Sequence, residues 1–183
     1  MGYTNEQIKL IASIVYKLAN PHSENQKKVK SMVELLQGLG INVTKSGMIN
    51  DEISGYVTKS EIDDKPEIVV NSSHGNFRRR FTMAHELGHL ILHFKWKPFG
   101  LLDDNHGINI AYRKDIESYS FLQRTEEAEA NKFAAELLMP EDKFLELMDL
   151  KDDQELSEYF GVSELAIRIR KKSIKKTRGS NLQ

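Results

Sequence analysis

Apolar residues recur at spacings of three and four through much of this chain, and that period predicts helices. Before residue 40 it supports Asn5 to Leu18, then Ser23 to Leu39, the latter stopped by Gly38 and Gly40. The period then shortens. Ile41-Asn42-Val43-Thr44, Gly55-Tyr56-Val57-Thr58 and Glu67-Ile68-Val69-Val70 have strand character and are separated by Gly, Asn and Asp. They predict a small antiparallel meander with one wet face. A long helix follows from about Phe77 to Phe94, after a stretch rich in cap-forming residues. Another is expected to start near Thr125, a good N-cap, and to end at Pro140. Glu141 to Met148 reads as a short helix. Gln154 to Phe160, a turn at Gly161-Val162 and Ser163 to Lys172 form a helix-turn-helix-like pair. Pro98 to Ser120 carries no period, and a loop of that length in a compact domain is usually functional or mobile. Helices, then a small sheet, then helices make an α+β, mainly helical fold. Residues 1–150 are expected to form the main domain: N-terminal helices over 1–40, the small sheet over 41–72, and long helices over 76–94 and 125–139. Residues 151–183 supply the C-terminal helical pair and a basic tail.

Composition narrows the class. A chain of 183 residues, 39% hydrophobic and 29% charged, is long enough for one core that needs no staples. It has no cysteine, which excludes a disulfide scaffold, a thiolate zinc site and a cysteine nucleophile. No apolar run approaches the ~20 residues of a membrane span. The N-terminus lacks the basic and apolar regions of a signal peptide, and Glu6 stands where a myristoylation signal wants Ser or Thr. A cytoplasmic location is the expectation. The net charge of -1 predicts no global attraction to nucleic acid. Arg168, Arg170, Lys171, Lys172, Lys175, Lys176 and Arg178 nevertheless crowd the C-terminus, a pattern that usually marks a solvated tail.

The chemistry is concentrated in His85-Glu86-Leu87-Gly88-His89. On a helix, positions i and i+4 lie one above the other, so the two histidines can share one ion. Glu86 lies beside that ion without ligating it, placed to take a proton from activated water. Zinc accepts imidazole nitrogens at ~2.0–2.1 Å and acidifies water toward a pKa of about 7, which supplies the nucleophile an amide bond needs. Three fixed residues alone are weak evidence, but the helical wheel strengthens them. His85, His89, Thr82, His93 and Glu86 share one sector roughly a quarter of the circumference wide, and the rest of the helix is apolar. A buried carboxylate between buried imidazoles is costly unless a cation compensates. His93 is a rival ligand, but i, i+4 and i+8 spread over ~12 Å, too far to converge, and capping near the helix end is its plainer role.

A catalytic zinc site wants a third protein ligand and an open position. The segment from Thr125 to Pro140 offers acids at its start and an Ala- and Leu-rich remainder suited to close packing. Glu127 and Asn131 are i and i+4, so one can ligate while the other orients a ligand histidine through its free ring nitrogen. Compensation of the helix dipole accounts for Glu126 and Glu129.

The blocks from Arg80 to His93 and from Glu127 to Pro140 (Glu127-Ala128-Glu129-Ala130-Asn131, then Phe133-Ala134-Ala135-Glu136-Leu137-Leu138-Met139-Pro140) together resemble the ImmA/IrrE metallopeptidase family. The likeness covers about Ile68 to Arg170. It implies a gluzincin-like fold, zinc held by His85, His89 and Glu127, and Glu86 as the base, with Asn131 behind the ligands. Such peptidases belong to bacteria, phages and mobile elements. The resemblance implies, as partner and substrate, a helix-turn-helix repressor often encoded next door, cleaved to switch on stress genes. The first forty residues and the stretch from Trp96 to Phe121 match no pattern, and substrate choice is expected there. The oxyanion also needs a donor, for which His106, Tyr112 and Tyr119 are candidates.

Two other readings stand beside the peptidase. One is a metal-binding regulator in a toxin–antitoxin-like pair, acting by protein binding. The other is a DNA-binding transcription regulator working through the C-terminal pair, although Glu164, Leu165 and Ala166 make a poor first turn for reading DNA. The sequence assigns no oligomeric state.

Overall fold

The computed structural model describes residues 2–21, 29, 31–47, 52–102 and 120–180, with side chains to residue 176. Helix α1 (Asn5–Ala19) is set by a reciprocal cap. Thr4 accepts the Gln7 N–H while the Gln7 side chain accepts the Thr4 N–H. It buries Ile8, Ala12, Val15 and Tyr16. Helix α2 (Met32–Gly38) covers the later part of the expected Ser23-to-Leu39 element, of which 23–28 and 30 lie outside the described residues. Ser31 accepts the Glu34 N–H and starts the helix there, and Val29 is not helical.

Strands β1 (Asn42–Ser46), β2 (Gly55–Lys59) and β3 (Pro66–Asn71) form one sheet in the order β1-β3-β2. The expected antiparallel meander is therefore corrected: β1 runs parallel to β3, and only β2 is antiparallel to it. Burial explains the order of the strands. Val57 and Ile68 pair across one rung, and β3 hides Ile68, Val69 and Val70 almost entirely, whereas β1 and β2 are half-wet edges. A continuous apolar run is a central strand covered on both faces. With β3 central, β1 must take its free side.

The sheet packs on helix α3 (Asn76–Leu92), which packs in turn on helix α4 (Phe121–Leu138). The expected start of α4 at Thr125 is too late. Ser120 and Gln123 form a capping box, and the Thr125 hydroxyl, already inside the helix, donates to the Phe121 carbonyl at 3.0 Å. The first turn of α4 thus contains no acid, so dipole compensation does not explain Glu126 or Glu129. Helix α5 (Glu141–Leu147) follows Pro140. Helix α6 (Asp153–Phe160) begins in an Asp152–Glu155 capping box and ends at Gly161, whose φ of 67° is left-handed. Helix α7 (Glu164–Ser180) runs well past the expected Lys172.

Buried side chains from Ile8 to Ile174 form one hydrophobic cluster, in which Phe133, Leu137, Phe144 and Phe160 are among the largest fully enclosed. Each such side chain contributes about 1.5–3 kcal/mol relative to exposure. The Arg170 guanidinium, itself buried, grips both oxygens of Glu136 at 2.7 Å and donates to the Met139 carbonyl, tying α7 to α4. Beyond the loop after α3, Trp96 is buried and its indole N–H donates to the Gly100 carbonyl at 2.9 Å.

Candidate metal centre

Helix α3 is apolar nearly all round because it lies between the sheet and α4, and its polar sector faces α4. His85 and His89 sit one turn apart on that sector. Their Nε2 atoms are 3.0 Å from each other. From α4, one Glu127 oxygen lies 3.4 Å from His85 Nε2 and the other lies 3.3 Å from His89 Nε2. Among the described residues, these three side chains form a group able to hold a metal ion. Glu86, on the same helix, is buried.

The close approach of the two helices has a local cause. Gly88 faces α4, and a Cβ there would sit 3.1 Å from the Ala130 Cα and 3.2 Å from a Phe133 ring carbon. Glycine opposite alanine lets the backbones come close enough for a glutamate on one helix to meet two histidines on the other.

The ring nitrogens decide what the group can bind. His85 Nδ1 is 3.0 Å from Asn131 Oδ1. An amide oxygen only accepts, so Nδ1 carries the proton and Nε2 presents a lone pair inward. Lone pairs from two imidazoles and a carboxylate then converge from three sides, which is unfavourable unless a proton or cation lies among them. Atoms ~2.0–2.1 Å from a tetrahedral ion stand roughly 3.3 Å apart. The two imidazole nitrogens, 3.0 Å apart, stand near that spacing, each has one Glu127 oxygen at 3.3–3.4 Å, and one ligating atom from each residue lies within 4.8 Å of the others. The donor set of two nitrogens and a carboxylate suits zinc.

Without a metal, a proton substitutes. Burial disfavours the His85 cation, but the Glu127 hydrogen bond, the charges of Glu86 and Glu127, and Asn131 outweigh it and leave the His85 pKa raised. At Glu127 burial opposes the anion. The hydrogen bonds and charges of His85 and His89 overcome this and hold the carboxyl well below the usual range. Glu127 therefore stabilises the metal-free fold above its ordinary value of 4.5 and loses that contribution as pH falls further. His85 contributes fully below its ordinary 6.5 and loses its contribution as pH rises through its folded value. The pair should be worth most to metal-free protein at roughly pH 4.5–6.5, while zinc affinity climbs with pH as the competing proton leaves. Thermal midpoints of chelator-treated protein and zinc titrations across this range check both slopes. Flat profiles would mean that His85 and Glu127 do not meet.

Two residues outside the expected set also reach this centre. His93, at the C-cap of α3, does not turn toward the three ligating atoms. Its Nδ1 lies 2.9 Å from His89 Nδ1, and its Nε2 lies 3.1 Å from Glu129 Oε2. Glu129 is buried and also accepts the Tyr3 N–H at 2.6 Å. The spacing of His93 from His89 hints at the first contact. Nothing in the spacing of Glu129 hints at the second. His106, Tyr112 and Tyr119 lie outside the described residues.

A cleft of about 1120 Å³ opens between α1, the start of α3, α4 and α7, with Asn131 in its wall. Phe77, Phe81, Leu165 and Ile169 give it an apolar lining, and the Phe81 ring is 6.4 Å from that of His85.

Compared with known families, residues 36–172 match Peptidase M78, described as the IrrE N-terminal-like domain. The chain belongs to that family. No curated protein matches it. Among solved structures, the IrrE-like chain is similar to a Mycobacterium tuberculosis transcriptional regulator, with a TM-score of 0.58 and 17% identity. The likeness covers 90% of this chain but 46% of that one, so the IrrE-like chain spans less than half the length of that regulator. At such identity the fold alone is shared. Among the described residues, no helix of the IrrE-like domain is long and apolar enough to cross a membrane.

Proposed function

We propose that this chain is a zinc-dependent, site-specific endopeptidase, acting in the cytoplasm on a protein substrate, with a helix-turn-helix repressor encoded nearby as the candidate. The observation that carries this reading is the convergence of His85, His89 and Glu127, one ligating atom from each within 4.8 Å of the others, with Glu86 on the same polar sector. Zinc, when bound there, supplies carbonyl polarisation and acidifies water toward a pKa of about 7. Glu86 accepts the proton of the attacking water and hands it to the leaving amine nitrogen. Asn131 holds His85 with Nε2 inward throughout. The apolar cleft of about 1120 Å³ has Asn131 in its wall, though none of His85, Glu86, His89 and Glu127 lines it, and it is the candidate seat for substrate residues flanking the cut. Oxyanion stabilisation is assigned to the stretch carrying His106, Tyr112 and Tyr119.

The test is co-expression with the neighbouring repressor, followed by N-terminal sequencing of the fragments. One discrete cut is expected, stopped by a chelator and restored by zinc. A repressor left intact by zinc-loaded protein would end this reading.

A regulator that binds metal or DNA without hydrolysis is the second reading, favoured by the fold shared with a transcriptional regulator. Against it, Arg168 pairs with Asp153 and Glu164, Lys171 with Asp153, and Arg170 with Glu136, so these α7 cations already serve their own fold. DNA binding with a steep salt slope would favour the alternative.

A further inference from the structure

The protonation of the second histidine follows from a chain of contacts. A carboxylate only accepts hydrogen bonds, so His93 Nε2, 3.1 Å from Glu129 Oε2, must be the donor. Of the Nδ1 atoms of His93 and His89, which face each other, one must donate and the other accept, and a ligating role for His89 Nε2 leaves the His89 proton at Nδ1. A neutral imidazole protonated at Nε2 has a lone pair at Nδ1. That lone pair lies 2.9 Å from His89 Nδ1, so His89 donates there and keeps its own Nε2 bare. The opposite oxygen of Glu129 accepts the Tyr3 N–H at 2.6 Å, and the Tyr3 hydroxyl donates to the Leu92 carbonyl at 3.1 Å. Both oxygens of the buried carboxylate are thus engaged, one by α3 and one by the segment before α1.

We propose that His93 and Glu129 are positioning residues for the metal centre, forming a carboxylate–histidine relay that fixes the tautomer and ring orientation of His89 for ligation. The relay rests on the reading of His85, His89 and Glu127 as the ligands. It assigns the two histidines unequal support. His85 is held directly by a neutral amide on α4, whereas His89 is held by a second imidazole backed by an anion. An anion at the far end makes His89 a better electron donor, as outer partners of metal-bound imidazoles do. It also explains a buried acid on α4 that neither the helix dipole nor direct ligation accounts for.

Three variants of the full chain test this: Glu129→Gln, which keeps size and an acceptor for Tyr3 but removes the charge; His93→Phe, which keeps a ring but removes both nitrogens; and the double variant. Zinc affinity is measured by competition with a chromophoric chelator, and the visible spectrum of the cobalt-loaded protein is recorded. Each single variant should bind zinc ~10–100-fold more weakly, the usual cost of losing an outer partner. The double variant should be no weaker than the worse single one, because the two residues act in series. The cobalt spectrum should shift in both. Zinc affinity within twofold of wild type in both singles, with only the melting temperature of metal-free protein lowered, would overturn the relay. Additive losses would also overturn it. If His93→Phe fails to fold, Glu129→Gln still decides the matter. A wild-type chain that binds no zinc would instead overturn the ligand set itself.

Discussion

Glu86→Gln should abolish cleavage while leaving one zinc per chain. Glu86 shares the helix and the polar sector with His85 and His89, is buried, and is not one of the three side chains grouped as able to hold a metal ion. An amide of the same shape leaves the packing of α3 intact but cannot take a proton from water. General-base contributions of this kind are worth ~10²–10⁴ in rate, and the loss should fall on kcat. Metal content by elemental analysis and thermal stability should stay near wild type, which separates this variant from loss of a ligand. Turnover within a few-fold of wild type would remove Glu86 from the chemistry. Zinc loss in the same variant would show that Glu86 helps hold the ion.

Gly88→Val should destabilise the protein and weaken its metal binding together. Ala130 and Phe133 atoms lie 3.1–3.3 Å from where a Cβ at residue 88 would stand, and two of the contacts are backbone, which cannot swing aside. A branched side chain must push α3 and α4 apart, at a cost of roughly 3 kcal/mol. For a chain of this length that lowers the melting midpoint by about 6–12 °C. The same displacement carries Glu127 away from His85 and His89, so zinc affinity should fall even though no ligand has changed. Gly88→Ala should do far less, since alanine's better helix propensity, worth up to about 1 kcal/mol, offsets part of the clash. A valine variant that melts and binds zinc normally would mean the two helices tolerate a wider separation.

Much of the fold can be read from local rules. The period of apolar residues outlines α1, α3, α5 and α6 to within a residue or two. The polar wedge on α3 places His85 and His89 together, because i and i+4 coincide on any helix. What escapes is set by contacts between distant segments. Ile68-Val69-Val70 has strand character, but its place between β1 and β2 depends on what covers its two faces. Ser120 is hidden as the N-cap of α4 because it follows a stretch without periodicity, while Thr125 looks equally competent. Glu127 and Glu129 differ by about 200° around the α4 axis, so a reading that turns one toward the histidines turns the other away. Only the third dimension shows His93 reaching across to the second acid, and only the tertiary fold brings Tyr3 to it.

That last contact makes the placement of a purification handle a chemical choice. Gly2 packs against the Glu129 carboxylate and leaves no room there for a side chain. A fusion partner ahead of it would tug on a backbone amide three hydrogen bonds away from His89. Preparations that differ only in which end carries the handle should differ in how firmly they keep their metal, with the far end of α7 the safer attachment.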